Sequence, residues 1–231
     1  MAYFYVKHAQ TRVFLYFYTI IRFLYLILFL TALQVSGQRR FEIWNKSQAE
    51  IDLSHQYQLK ISEKIHYYPR SNSLGLFYGD FFLVKHFKPW LECGAGYRIN
   101  KFRLTDYDWK TENRSMLYTD LILPLTDFKL TFYNRFEYRV IEVLDDHFRY
   151  RQSVKLQFPE LTSWGMQFYT SEEVFIKLND DRTHLARFYG GINAIKHDHF
   201  ILSVYYALQK TKLLQRWLSS DIIGLNLGFA I

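Results

Sequence analysis

Strict alternation of apolar and polar residues is the feature of this sequence that most constrains its fold. Along residues 128–140, the even positions are mostly Phe, Leu, Tyr and Val, and the odd positions are Lys, Thr, Tyr, Arg and Glu. Residues 148–158 repeat this design. A period of two is typical of a β-strand whose two faces meet different surroundings. No stretch after residue 37 shows a helical period, so the chain is predicted to be all-β.

The alternation covers about eleven segments of roughly 12 residues, a length that suits a tilted strand crossing a bilayer. We therefore predict a transmembrane antiparallel up-and-down β-barrel of about 10–12 strands. An odd number of strands would put the two chain ends on opposite rims, whereas a twelfth strand within residues 41–46, or one false segment, would restore an even number. The segments are 47–54, 57–68, 73–85, 90–102, 110–123, 128–141, 147–158, 164–177, 183–195, 199–210 and 217–231.

The connections between segments are predicted to differ in length at the two ends of the barrel. Short turns and longer polar loops on opposite sides are the asymmetry of an outer-membrane barrel. The predicted short turns are 86–89, 124–127, 159–163 and 196–198, and the predicted polar loops are 103–108, 142–146, 178–181 and 211–216.

Alternation alone does not say which face points outward, and a soluble barrel would bury the apolar face. Three features favour lipid outside. A barrel of ten or more strands has a lumen too wide for aliphatic side chains to fill. The polar faces use Arg and Glu, which suit an enclosed, ion-paired interior. Four tryptophans lie near segment ends, where a membrane-interface girdle is expected: Trp90, Trp109, Trp164 and Trp217.

Residues 1–37 are predicted to be a secretory signal peptide, which leaves residues 38–231 as the barrel. The segment has three basic residues, no acidic residue and an apolar run over 23–33. This run ends in Gln-Val-Ser-Gly, which places the cleavage site before Gln38. A transmembrane helix over 13–35 is the alternative, but Arg22 near its middle would cost at least about 2.5 kcal/mol.

Removing the leader lowers the formal charge of the whole chain from +7 to +4, because the leader carries three basic and no acidic side chains. This smaller charge argues against a nucleic-acid partner. The single cysteine, Cys93, excludes an intrachain disulfide and an all-cysteine zinc site.

The polar faces predict a network of charged side chains lining the lumen, where adjacent strands bring them within cross-strand reach. One interpretation is a salt-bridge network that fills and stiffens the lumen. The other is a selective lining for a small anionic solute, because arginine exceeds glutamate. The predicted members are Arg98, Glu112, Arg114, Arg135, Glu137, Arg139, Arg149, Arg151, Glu173 and Arg187.

Catalytic and metal-binding patterns are weak. No histidine has a serine and a carboxylate fixed on the same face, as a lipid-cleaving barrel enzyme would need. His197 and His199 share a face in a turn, but no third ligand is fixed by spacing. No catalytic residue, metal or cofactor is therefore predicted. Gly94 and Gly96 precede no helix, so they are interpreted as making room for bulky lumenal side chains.

Six runs of the chain carry a resemblance to a known family: 94–98, 109–114, 135–139, 148–151, 173–175 and 187–191. Taken in order and spacing, they resemble an uncharacterised outer-membrane β-barrel family, domain of unknown function 2490. The resemblance covers most of the chain after the leader, and it implies a barrel in the outer membrane of a diderm bacterium with no established activity. Such a barrel would contact the lipid bilayer and the barrel-assembly machinery. Ile231 departs from the usual terminal aromatic residue of outer-membrane barrels.

The sequence thus favours a structural protein or a small-solute channel, with an anion as the possible solute. An outer-membrane enzyme acting on lipid, of the phospholipase or deacylase type, is the alternative.

Overall fold

The computed structural model describes residues 40–105, 108–179, 182–213 and 216–231. The predicted signal peptide and its cleavage site lie outside these residues. Among the described residues, no helix is long and apolar enough to span a membrane.

The described chain is built almost entirely from eleven β-strands, which confirms the all-β prediction. One 3-10 turn, Pro69–Ser71, follows the second strand. The strands are β1 (Arg40–Asp52), β2 (Tyr57–Tyr68), β3 (Ser73–Lys88), β4 (Leu91–Thr105), β5 (Asp108–Leu125), β6 (Phe128–Ile141), β7 (Leu144–Glu160), β8 (Gln167–Lys177), β9 (Arg182–His197), β10 (Phe200–Leu213) and β11 (Arg216–Ala230).

The strands form a closed barrel in which each strand pairs antiparallel with its neighbours in sequence, while β1 and β11 pair in parallel. This parallel pairing, from Arg40 opposite Ser220 to Glu50 opposite Ala230, is the seam of the barrel. The number of strands is odd, and residues 41–46 do not form a twelfth strand, because they lie at the start of β1. Because the chain direction reverses from each strand to the next, an odd number of strands leaves the first and last running in the same direction. Their parallel pairing gives hydrogen-bond partners to the backbones of both edge strands.

We call the end of the barrel where β1 begins the first rim, and the end where β1 and β11 finish the second rim. The predicted difference in loop length is wrong. Connections at the first rim span two to four residues, and those at the second rim two to six. Parts of the predicted loops 103–108, 142–146 and 211–216 belong to strands, because backbone ladders continue through polar residues as well as alternating ones. The predicted loop 178–181 agrees with the ends of its strands, since β8 ends at Lys177 and β9 begins at Arg182.

The two faces of the wall have opposite character, as β6 illustrates. Arg135 and Glu137 point inward and are 3% and 1% exposed, whereas Phe136 and Tyr138 point outward and are 55% and 39% exposed. Large apolar side chains on other strands are likewise exposed, with Leu117 at 63%.

The outer face also carries carboxylates at Glu63, Glu172 and Asp221, and Tyr206 donates its hydroxyl hydrogen bond to Asp221 at 2.5 Å. The lumen in turn contains apolar side chains that the polar pattern did not predict. They form two buried clusters: Trp44, Tyr169, Tyr205, Ala207 and Ile222, and Phe82, Val84, Met116 and Tyr118.

Candidate functional site

All ten residues predicted to form the charged network lie on inward-facing positions of the barrel. Seven of them are buried, and Arg139, Arg151 and Arg187 are partly buried. The register places like charges side by side, because Arg98 lies opposite Arg114 and Arg135 lies opposite Arg151. Since like charges directly opposite each other repel, these arginines need carboxylates between them. The structure supplies those carboxylates at three separate centres.

The first centre is a layer of four arginines and two glutamates near the first rim, which we call the floor: Glu112, Arg114, Arg135, Glu137, Arg139 and Arg149. Glu137 accepts a hydrogen bond from Arg149 Nε at 2.8 Å, forms an ion pair with Arg135, and lies 3.8 Å from Arg114 Nη1. Glu112 pairs with Arg114 through two contacts of 2.5 and 2.9 Å.

The other two centres lie on different walls. Glu173 pairs with Arg151 and Arg187, and it accepts the Tyr189 hydroxyl hydrogen bond at 3.0 Å. On β3, Asp80 accepts a hydrogen bond from Arg98 Nε at 2.8 Å and another from the Ser62 hydroxyl. Each of these carboxylates is therefore already engaged by cations or hydrogen-bond donors within the protein.

An aromatic stack closes the lumen beside the floor. The indole of Trp44 is 1% exposed and stacks on the His66 ring with centroids 4.1 Å apart. Lys64 Nζ lies 3.6 Å from the Trp44 ring centroid, and the Arg187 guanidinium carbon lies 4.9 Å from it. Cations this close to an indole face are attracted by its π-electrons.

A cavity of about 720 Å³ occupies the lumen on the second-rim side of the floor. Its lining reaches from floor arginines such as Arg149 to residues near the second rim such as Gln157 and Ile201. Glu112, Glu137 and Trp44 do not line it, and they are at most 3% exposed. In the described part of the chain, the cavity is therefore closed toward the first rim, and the residues at its other end lie at the second rim.

The cavity wall is strongly cationic. It includes eleven Lys and Arg side chains but only five carboxylates, Glu50, Asp80, Glu92, Asp120 and Glu173. A wall of low-dielectric material that carries charges of one sign concentrates counter-ions inside it. The cationic side chains are Lys46, Lys60, Lys64, Arg98, Arg114, Lys129, Arg135, Arg149, Arg151, Lys155 and Arg187.

Four of these lysines lack a carboxylate partner, and one of them, Lys129, is exposed near the second rim. Within the residues the structure describes, no ion pair joins Lys46, Lys64 or Lys155 to an acidic side chain. Lys46 Nζ donates to the Gln48 side-chain oxygen, and Lys155 Nζ lies 4.5 Å from the Tyr169 ring centroid. The sequence analysis did not single out any of them, because lysine in an alternating strand looks the same whether it is paired or not.

Tyrosine rings lie flat against the cavity wall where the residue paired with them on the neighbouring strand is glycine. Tyr169 lies opposite Gly191, and Tyr118 lies opposite Gly94. A Cβ added at either glycine would overlap the facing ring, and one at Gly96 would overlap Phe82. The prediction that Gly94 and Gly96 make room for bulky lumenal side chains is thus confirmed for the rings of Tyr118 and Phe82.

The histidines do not form a nucleophile–base pair. His147 contacts Arg139 Nη1 at 3.1 Å and the Asp145 carbonyl at 3.0 Å, and His199 Nδ1 contacts the Ala230 carbonyl at 3.1 Å. Across the described ranges, no histidine is hydrogen-bonded to a serine or threonine hydroxyl. The same residues contain no group of three or more His, Cys, Asp or Glu side chains placed to hold a metal ion.

Comparison with known proteins gives one match. A family model described as "Protein of unknown function (DUF2490)" matches residues 41–219. This match covers β1 to β10 and the start of β11, and it confirms the family resemblance found in the sequence. No curated protein and no solved structure matches the chain.

Proposed function

We propose, from the premise that the chain belongs to the DUF2490 family of unknown function, that it is an outer-membrane β-barrel whose lumen binds a small anionic solute in a closed-ended pocket. In this proposal residues 1–37 direct export, and the barrel-assembly machinery inserts the mature chain. The pocket retains its solute at the floor instead of conducting it across the membrane.

The outer face supports membrane insertion. Rows of exposed Phe, Leu and Ile would cost free energy in water, since soluble monomers rarely expose contiguous apolar patches beyond a few hundred Å². Trp90 and Trp164 lie at the second rim and are 49% and 57% exposed, and Trp217 lies near the first rim at 47%. Exposed indoles at both ends of an apolar band match the two interfaces of a bilayer.

The cationic cavity above a closed floor is the observation that carries the binding proposal. An open anion channel needs a continuous aqueous path between its two ends. Here the buried pairs around Glu137 and the stack around Trp44 fill one end of the described lumen. The unpaired cations lie on the side that reaches the second rim. This arrangement favours retention of an anion over its passage.

The experiment compares conduction with binding in the same preparation. The barrel, folded in detergent micelles, is titrated with citrate and with pyrophosphate at fixed ionic strength while its thermal unfolding is followed by circular dichroism. We expect a saturable rise in unfolding temperature, and we expect no steady conductance after insertion into a planar bilayer. Anion-selective conductance steps would contradict the closed pocket, and the absence of stabilisation by both anions would contradict binding.

The double variant Glu137→Ala/Arg149→Ala is the positive control for conduction. It removes a mutually paired glutamate and arginine from the floor. Arg135 loses its carboxylate partner in this variant, so the folding of the variant is checked by circular dichroism before conductance is measured. We expect this variant to show conductance steps that the wild-type barrel lacks.

A further inference from the structure

The cavity contains a pair of lysines that the barrel itself does not neutralise. Lys46 on β1 lies directly opposite Lys64 on β2, and both side chains line the cavity. Residues paired in this way have Cβ atoms about 4.5–5.5 Å apart, and like charges at such positions destabilise the sheet. A fold that keeps an unfavourable pair of charges at a cavity wall has a site suited to an anionic ligand.

The carboxylates nearest these lysines are engaged elsewhere. Asp80 and Glu50 are the carboxylates that interact electrostatically with Lys46, and Glu173 is the carboxylate that interacts with Lys64. Asp80 is bonded to Arg98 and Ser62, and Glu173 is bonded to two arginines. Glu50 accepts a hydrogen bond from the Gln48 amide. None of them forms an ion pair with the two lysines.

A third lysine faces this pair from the other side of the lumen. Lys155 lies on β7, which is five strands from β1 in one direction around the barrel and six in the other. Like Lys46 and Lys64 it lines the cavity, and the charges of both Lys129 and Lys46 act on its ammonium group. The Tyr169 ring lies beside Lys155. It can lie against the wall because Gly191, its cross-strand neighbour, has no side chain. The space between the two walls is therefore bounded by ammonium groups on both sides.

We infer that Lys46 and Lys64 on one wall, and Lys155 on the other, form a two-sided subsite for a compact polyanion that carries at least two phosphate or carboxylate groups. This inference rests on the proposed function. A single small anion would neutralise lysine charge on one wall only and would leave the other wall without a counter-ion. A cavity of about 720 Å³ also has room for a molecule far larger than an inorganic monoanion. Lysine donates hydrogen bonds as a compact charge, so it suits phosphate and carboxylate groups alike.

The test measures binding of pyrophosphate and citrate by isothermal titration calorimetry, with the full mature barrel in detergent micelles at fixed ionic strength. Lys46→Met, Lys64→Met and Lys155→Met each remove one charge and keep an unbranched side chain. We expect each to weaken binding of both probes about tenfold or more. Lys196→Met is the matched control, because Lys196 pairs with Glu160 at the second rim and does not line the cavity; the affinity for both probes is expected to change less than threefold.

A second readout separates a ligand site from a structural role. Ligand-free Lys64→Met is expected to unfold at the same temperature as the wild type or higher, since it loses a repulsive pair. Lys64→Gln, which keeps a polar end, is measured beside it. A lysine that served only packing would instead lower the unfolding temperature when replaced and leave probe affinity unchanged, and this result would overturn the inference.

Acetate is the single-charge probe. We expect it to bind at least a hundredfold more weakly than pyrophosphate, and equal affinities would overturn the polyanion assignment. If the wild type binds pyrophosphate or citrate and all three lysine variants bind them equally well, the subsite is wrong while the closed-pocket proposal stands. If the wild type binds neither probe, the proposed function itself fails.

Discussion

Ile231 donates its backbone N–H to the Glu50 carbonyl at 2.8 Å, so the last residue of the chain completes the parallel seam with β1. The Asp52 N–H in turn donates to the Ile231 carbonyl at 3.1 Å. The first and last strands of the barrel are thus joined along their whole paired length, up to the final residue.

Shortening β11 is expected to weaken the seam. Removing residues 227–231 deletes the partners of residues 47–50. The loss of several ladder hydrogen bonds should lower the free energy of unfolding by on the order of 5 kcal/mol, at about 1 kcal/mol for each bond. Denaturant unfolding in detergent measures the effect. Removal of Ile231 alone is the control, and it should lower the free energy of unfolding by less than half as much. If the full-length chain and the chain without residues 227–231 were equally stable, the seam would not be paired in solution.

Glu137 is expected to be the side chain on which the floor depends most. Glu137→Gln leaves Arg135 and Arg149 buried beside a neutral amide, and an uncompensated buried charge costs about 3–5 kcal/mol. The free energy of unfolding of the variant, measured in detergent, should fall by about that amount. Glu160→Gln is the matched control, because Glu160 pairs with Lys196 at the exposed second rim, and it should change stability by less than about 1 kcal/mol. Similar stabilities of the two variants would argue against the ion-paired floor.

Gly191 and Gly190 are neighbours that should respond differently to the same substitution. A Cβ at Gly191 would overlap the Tyr169 ring, whereas one at Gly190 would meet nothing within 4 Å. Gly191→Ala should therefore destabilise the barrel by about 1–3 kcal/mol through overpacking. It should also weaken pyrophosphate binding, because the displaced ring enters the cavity. Gly190→Ala should leave both thermal stability and calorimetric affinity close to the wild type, and matching losses in the two variants would contradict the predicted ring position.

The lipid-facing surface is tested by changing charge on the outer wall. Phe136 lies near the middle of β6 and is 55% exposed. In a lipid bilayer, Phe136→Arg should reduce the free energy of unfolding by about 2–4 kcal/mol if the residue meets hydrocarbon. Glu172→Leu, at the middle of β8, should raise it. Unfolding is followed in lipid vesicles by tryptophan fluorescence. Unchanged stability in both variants would contradict the membrane proposal.

The local pattern predicted the direction of individual side chains well. The alternation in β6 alone places Arg135 and Glu137 on one face and Phe136 on the other, because successive side chains in a strand point to opposite sides. The same pattern failed at residues 41–46, where polar and apolar residues alternate without showing whether they open a new strand or extend the next one. Strand ends were also misplaced near the predicted loop 211–216, because the pairing of β10 with β11 continues through residues 211–213 and 216 without a marked apolar face.

The sequence predicted only part of the candidate site. Arginine and glutamate in successive strands indicated an ion-paired lumen. The opposition of Lys46 to Lys64 depends on the register between β1 and β2. The approach of Lys155 depends on how many strands separate β7 from β1. Neither quantity is encoded in the residues of a single strand.

By itself, the sequence determined that the chain forms about 10–12 strands and which face of each is polar, because these properties follow from the local period of two. Only the tertiary structure decided that eleven strands close through a parallel seam, that Glu137 lies among three arginines, and that Lys46, Lys64 and Lys155 remain without carboxylates around a cavity closed at one end. Closure and pairing depend on hydrogen-bond register and barrel size, which arise when distant strands meet and which no local pattern specifies.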